Sequence, residues 1–231
     1  MATISNIEHL FAGGLKSLEP EGQRTGIYKR RVRGTARVET LGIVGDEHGD
    51  PRVHGGAEKA VHHYAAENYL LLGEAFQQCV ESLVPGSLGE NISTHHMTER
   101  DVYIGDVYRV GSVVLQVSQP RSPCWKINHR FGVERMSMLV AQTRITGWYY
   151  RVLKPGNMQV GDDIVLLERH TQRFSIEQFW QVQMSHRPLL DDLAELAAVP
   201  GLALEWRRRL DQRATWLRAR ATSPAGANPG A

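Results

Sequence analysis

The segment with the most chemistry in its residue types is Ser118-Gln119-Pro120-Arg121-Ser122-Pro123-Cys124-Trp125-Lys126. A stretch rich in β-branched residues, Val113 to Val117, runs into two prolines, and a cysteine follows the second. Prolines so close together fix the backbone of a loop, and a fixed loop at a strand end is where reactive groups are displayed. Arg121 and Lys126 flank the thiol. Cations beside a thiol favour the thiolate, the form that attacks or ligates. The same cations suit phosphate oxygens, Arg as a fork and Lys as a point charge. The plain alternative is a buried structural cysteine in a proline-rich turn.

Two further clusters stand upstream. The stretch from Val44 to Tyr64 is dense in histidine, carboxylates and glycine. His48, His54, His62 and His63 invite a zinc reading, but their spacing fits no familiar zinc signature. His54-Gly55-Gly56 differs, because paired glycines let a backbone approach a ligand and turn N–H groups toward an anion. A glycine-rich surface turn explains it equally simply. His63, closing a short apolar strand with Tyr64, reads as a satisfied core residue or as a ligand contact. The third cluster is Pro85-Gly86-Ser87-Leu88-Gly89-Glu90-Asn91-Ile92. Glu90 is placed to orient a base or pair with a cation, or else the segment is a turn held by Asn91.

These clusters need a scaffold. Up to about Arg169 the chain reads as short strands: Gly26–Lys29 with Val32, Val38, Leu41–Ile43, two strands around a Gly-Asp turn in Val102–Val110, Val113–Ser118, Gly147–Leu153, and Val160–Leu167. Many short strands with frequent glycine turns imply a β-barrel or sandwich. Helical spacing appears over Glu67–Val84 and Val133–Gln142. After Arg169 three helices are predicted, about Ile176–Met184 with Ser175 as N-cap, Leu189–Ala197 and Ala203–Trp216. The division expected is 1–169 as a β-domain, 170–218 as a three-helix extension, and 219–231 as a low-complexity disordered tail. Phe179, Trp180, Trp206 and Trp216 suggest that the extension packs on the β-domain or on a second subunit.

Bulk composition narrows the classes. A 42% hydrophobic share over 231 residues suits a globular core, and a net charge of +2 makes no electrostatic case for nucleic acid. The arginines from Arg207 to Arg220 read as a solvated helix face. Two cysteines, Cys79 and Cys124, make no disulfide framework. No signal peptide or membrane-spanning run is evident. A reducing cytoplasm is the expected compartment, and there Cys124 stays a free thiol.

Taken together, Gly45-Asp46, His54-Gly55-Gly56, Lys59-Ala60-Val61, Leu88-Gly89-Glu90-Asn91, Gly105-Asp106, Gln119-Pro120-Arg121 and Pro123-Cys124-Trp125-Lys126 resemble the MOSC family, and within it the YiiM branch. The likeness runs from about Lys29 to Trp216. It departs mildly at Trp125, where tyrosine is commoner, and at Leu88, where phenylalanine is. The resemblance implies a mainly β fold with helices, a MOSC β-barrel like that of pyruvate kinase followed by three helices. It implies a molybdenum cofactor (molybdopterin) whose metal is held by Cys124. It also implies reduction of N-hydroxylated compounds such as 6-N-hydroxylaminopurine, with electrons from a separate donor protein and a homodimeric assembly. On that reading Lys29, Arg121, Lys126 and the His54-Gly55-Gly56 turn hold the cofactor phosphate, with Lys59, Asn91 and Gln119 in support. His54, His63 or Glu90 then supplies a proton. A cofactor carrier or sulfur-transfer module without turnover, and an anion-binding domain without metal, remain open beside it.

Overall fold

A computed structural model describes residues 3–50 and 55–222. Its strands, in chain order, are β1 (Thr3–Asn6), β2 (His9–Ala12), β3 (Lys16–Leu18), β4 (Gln23–Thr25), β5 (Arg30–Arg31), β6 (Ala36–Glu39), β7 (Gly42–Ile43), β8 (Val61–Ala65), β9 (Ile92–Thr94), β10 (Val107–Val110), β11 (Val113–Pro120), β12 (Trp148–Lys154), β13 (Gly156–Met158) and β14 (Asp163–Glu168). The helices are α1 (Asn68–Ala75), α2 (Lys126–Phe131), α3 (Met136–Thr143), α4 (Ile176–Met184), α5 (Leu190–Ala198) and α6 (Leu204–Thr222). The mixed β and α class predicted from the sequence holds.

Nine strands form one sheet in the order β1-β14-β10-β11-β12-β8-β9-β2-β5. Its hydrogen-bonded ladder is open, so the expected barrel is not closed. β1 nevertheless sits at one edge and β2 beside the other, and only Ile7 and Glu8 separate them in the chain. Three extended residue steps span at most about 11 Å. The sheet must therefore curl until its two ends nearly meet. The small β6, β7 and β13 sheet and the β3–β4 hairpin lie outside this ladder.

β8 sits centrally, antiparallel to β12 and parallel to β9. All five of its residues are buried, as a strand covered on both faces requires. Successive side chains of a strand point to opposite faces. Val61 accordingly joins the large core inside the curled sheet. Tyr64 joins a second core with Ile27, Leu72, Leu88, Ile127, Met136 and Val140, built from α1, α2, α3 and the loops beside them.

The helical extension shares the large core: Phe174, Phe179, Leu193, Leu196, Trp206 and Leu210 belong to it together with the sheet's Val117 and Trp148. Phe179, Trp180 and Trp206 pack edge to face, with centroids 4.9 to 5.8 Å apart. Of the four aromatic residues singled out above, Trp216 is the exposed one, at 54%. α4 starts and stops where the sequence predicts, fastened by a capping box of Ser175 and Gln178.

Other boundaries moved. The helix expected over Glu67–Val84 breaks at Phe76 (φ −130°, ψ 64°), and a 3₁₀ segment, Gln77–Ser82, follows. The Gln77 amide donates to the Gly73 carbonyl at 2.8 Å and helps end the first helix. α3 begins at Met136 rather than Val133, because Arg135 is left-handed (φ 68°) and no such residue fits a right-handed helix interior. In Val102–Val110 only the second expected strand forms. There Asp106 accepts from the Tyr103 N–H (3.1 Å), the Tyr108 hydroxyl (2.8 Å) and Arg169, and so holds a turn. Gly26–Lys29 forms no strand, and only Arg30–Arg31 joins the sheet. α6 runs to Thr222, past the expected boundary at 218, and the tail from 223 lies outside the described residues.

Candidate functional site

A cleft of about 560 Å³, counted out to its open mouth, lies where β8, β11 and β12 meet the loops on the second core. Its wall includes Cys124, Lys29, Asn91, Arg121 and Lys126 from the residues read in the sequence, and Thr25, Gly26, Ile27, Glu47, His48, Gly49, His62, Leu88, Gly89 and Tyr149 besides.

β11 delivers the reactive loop. It ends at Pro120, and the Arg121 N–H donates to the Gly147 carbonyl at 3.0 Å, which ties the loop to the residue before β12. The chain then turns into α2, whose first residue is Lys126, and the Ile127 N–H donates to the Cys124 carbonyl at 3.1 Å. Cys124 is a free thiol, half-buried. The cations on either side differ in what they already hold. Lys126 Nζ donates to the Arg24 carbonyl at 3.0 Å. Arg121 is 7% exposed, and its Nη1 is buried without a hydrogen-bond partner. Neither forms an ion pair among the described residues.

Lys29 is differently placed. Its ammonium is bonded to both carboxylate oxygens of Asp46, and the two side chains are 4% and 1% exposed. Asp46 also accepts from the Gly13 N–H and from the Asn91 amide, each at 2.9 Å. Asn91 donates in addition to the Phe11 carbonyl (3.1 Å) and accepts from the His62 N–H (2.9 Å). Lys29 and Asn91 therefore brace the wall, and the lysine charge is already matched by a carboxylate.

Strand alternation decides which histidine reaches the cleft. His62 stands opposite Tyr149 and His63 opposite Trp148, so one pair faces the cleft and the other the large core. His63 is fully buried, 3.0 Å from the Tyr150 hydroxyl, 2.8 Å from the Thr94 hydroxyl and 4.5 Å (ring centroids) from Trp148. Burial pushes it down to about 3. Both its nitrogens are used, and it is a satisfied core residue rather than a proton donor at the cleft. His62, not singled out as a proton donor, is the one on the wall. Burial, and then the charge of Arg121, hold it well below the ordinary imidazole range, so it is neutral. Its Nε2 is buried without a partner, and its ring lies 5.1 Å from that of Tyr149. Burial raises the Tyr149 phenol, against the opposing pull of Arg121. Burial also lowers His48, followed by the Lys29 charge.

Glu90 is fully buried and off the wall. It accepts from the Tyr69 hydroxyl at 2.6 Å and the Gly86 N–H at 2.5 Å, and burial raises its pKa. It pins the turn that presents Leu88 and Gly89, whereas Asn91, expected to hold that turn, bonds outside it to Phe11, Asp46 and His62. Gln119 is buried in register with Tyr149 and does not reach the wall. Gly55, Gly56 and Lys59 are off it too. Gly56 (φ 90°) leads into the 3₁₀ turn Ala57–Lys59. His54 lies outside the described residues. Among those described, no group of three or more His, Cys, Asp or Glu is arranged to hold a metal ion, and no helix is long and apolar enough to cross a membrane.

Sequence reasoning missed the floor of the cleft. Gly26 and Gly49 let two loops touch there: a Cβ on Gly26 would lie 2.2 Å from the Glu47 carbonyl oxygen, and one on Gly49 2.3 Å from that of Arg24. The available signal was a glycine in each of two otherwise polar segments.

Known proteins resemble the chain in sequence and in fold. The MOSC domain model matches residues 50–165. Protein YiiM of Escherichia coli is 36% identical over 195 residues, covering 84% of this chain and 86% of that one. A protein named Reductase from Gibberella moniliformis is 37% identical over 191 residues, 82% of this chain but 34% of its own length. The crystal structure of YiiM from Geobacillus stearothermophilus superposes with a TM-score of 0.77 at 28% identity, covering 91% of this chain and 99% of that one. With the cysteine loop and Asn91 on one cleft, Asp46 bracing its wall from behind, and these matches along most of its length, the chain belongs to the MOSC domain family.

Proposed function

We propose that the cleft holds a molybdenum cofactor through the Cys124 thiolate and serves the reduction of N-hydroxylated compounds. The observation that carries this reading is a free, half-buried thiol on a cleft wall beside two cations that form no ion pair among the described residues. The residues present fit such a group. A soft metal takes a thiolate ligand, and Arg121 Nη1 and His62 Nε2 are buried polar atoms with unused hydrogen-bonding capacity. Leaving such atoms unmet costs about 1–3 kcal/mol each, which a bound anion or polar ring relieves.

In this reading Arg121 and Lys126 take the cofactor's phosphate. Lys29 contributes little to it, because Asp46 already holds its charge. His62, neutral, and Tyr149 orient the ligand by hydrogen bonding rather than by charge. When bound, the cofactor supplies the two electrons that N–O cleavage requires. The open mouth admits solvent protons for the departing water, since His63 and Glu90 are occupied elsewhere. Electrons enter from a separate protein.

The test is expression in a host that makes the cofactor, anaerobic purification, and molybdenum and pterin analysis of wild type beside Cys124→Ser. The wild type is expected to carry molybdenum and to reduce an N-hydroxylated purine with reduced methyl viologen, while the serine variant loses both and keeps its melting temperature. Equal molybdenum in the two proteins, or none in either, refutes the proposal. Molybdenum without turnover assigns the protein as a cofactor carrier instead.

A further inference from the structure

Residues 24–33 carry five cations, Arg24, Lys29, Arg30, Arg31 and Arg33, and no carboxylate. Lys29 is buried on Asp46, whereas the four arginines are exposed, and none of them forms an ion pair among the described residues. The same strip supplies Thr25, Gly26, Ile27 and Lys29 to the cleft wall, so its charge borders the cleft mouth. Two more cations extend it: Lys16 and Arg130 lie 5.1 and 4.6 Å from the ring of Tyr28. Trp125, next to Cys124, is 42% exposed, and its neighbour Lys126 is bonded to the Arg24 carbonyl.

Arginines on the outermost strand β5 also discourage edge-to-edge pairing of sheets. That role needs only Arg30 and Arg31. It does not explain Arg24, Arg33, Lys16 or Arg130, nor an exposed tryptophan beside the thiol. Exposed arginines with a tryptophan among them are the composition of a protein-docking surface, and although Glu47 on the cleft wall and Glu21 beside His129 offset two of the charges, the strip stays net positive and steers an oppositely charged partner to the cleft.

We propose that this strip, with Trp125, docks a small acidic one-electron carrier protein of the ferredoxin or flavodoxin class. The proposal rests on the reductase reading above. The reaction served is R–NHOH + 2 H⁺ + 2 e⁻ → R–NH₂ + H₂O: the N–O bond breaks, the oxygen leaves as water, and two reduced carriers each give up one electron.

Arg30→Glu/Arg33→Glu tests it, because neither side chain lines the cleft. With a reduced [2Fe–2S] ferredoxin or a flavodoxin as donor, the KM for the carrier is expected to rise about tenfold or more. Turnover with reduced methyl viologen is expected to stay within about twofold. Binding of the same carriers to the cofactor-free chain, measured by surface plasmon resonance, is expected to weaken in parallel and to fall steeply with salt. Unchanged KM and binding in the variant overturn the proposal, as does a wild type that turns over with viologen yet ignores both carriers, an outcome that leaves the reductase reading standing. Binding of duplex DNA at physiological salt, lost in the variant, with no carrier binding, also overturns it. Carrier binding by a wild type that never holds molybdenum supports the docking surface and refutes the reductase reading.

Discussion

Asp46→Asn is expected to destabilise the fold through the lysine it leaves behind. Lys29 and Asp46 are 4% and 1% exposed, and the carboxylate also receives the Gly13 N–H and the Asn91 amide. Asparagine keeps the shape and an acceptor oxygen but removes the charge that the ammonium was buried against. Breaking a buried pair from one side costs about 3–5 kcal/mol. In a chain of this size each kcal/mol moves the melting temperature by about 2–4 °C, so a loss of roughly 6–20 °C follows. The double variant Lys29→Met/Asp46→Asn removes both charges and is expected to recover more than half of the loss, since an uncompensated ion is costlier than an apolar replacement. Thermal and urea unfolding of wild type, Lys29→Met, Asp46→Asn and the double variant completes the cycle. If Asp46→Asn costs less than about 1 kcal/mol, or the double variant is no better than the single, the pair does not brace the wall in the way argued here.

Other outcomes follow from the same geometry. The His63 ring should show no titration by NMR between pH 5 and 8, because its folded pKa is near 3; the unfolded chain binds that proton near 6.5, so this group's contribution to stability is present above pH 6.5 and lost progressively as the pH falls toward 3, with a slope of about 1.4 kcal/mol per unit. Gly26→Ala pushes a methyl group to 2.2 Å from the Glu47 carbonyl oxygen, and should cost about 1–3 kcal/mol in urea unfolding while weakening ligand binding in the cleft. Phe179→Ala is expected to cost about 3–5 kcal/mol and to lower one shared calorimetric transition, because the helices and the sheet have a common core; two separated transitions would contradict that. Sedimentation velocity checks the homodimer expected of the family.

The sequence was most informative where one local signal sufficed. Ser175 and Gln178 wrote the start of α4 into four residues, and the β-branched run before Pro120 marked β11 without reference to anything distant. The converging cluster was legible in part: Cys124, Arg121 and Lys126 come from one segment, and the cleft gathers them. What could not be read was which of two adjacent histidines faces inward. His62 and His63 look alike in sequence, and only the pairing of β8 with β12 fixes the face of each. Lys29 was read onto the cleft wall, where it lies, but its pairing with Asp46 was not legible, since the partner is distant in sequence and a buried pairing leaves no local trace. The helix break at Phe76 was hidden by an apolar pattern that continues across it.

The near-meeting of the curled sheet's two ends bears on how the chain is made. β1 pairs with β14, whose residues are synthesised some 160 positions after it. β2 finds β5 within some twenty residues, but β1 must wait, unpaired, until most of the chain up to β14 has been synthesised. A circular permutant that joins the old termini and opens between β2 and β3 would place β1 after β14 in the order of synthesis and remove that wait.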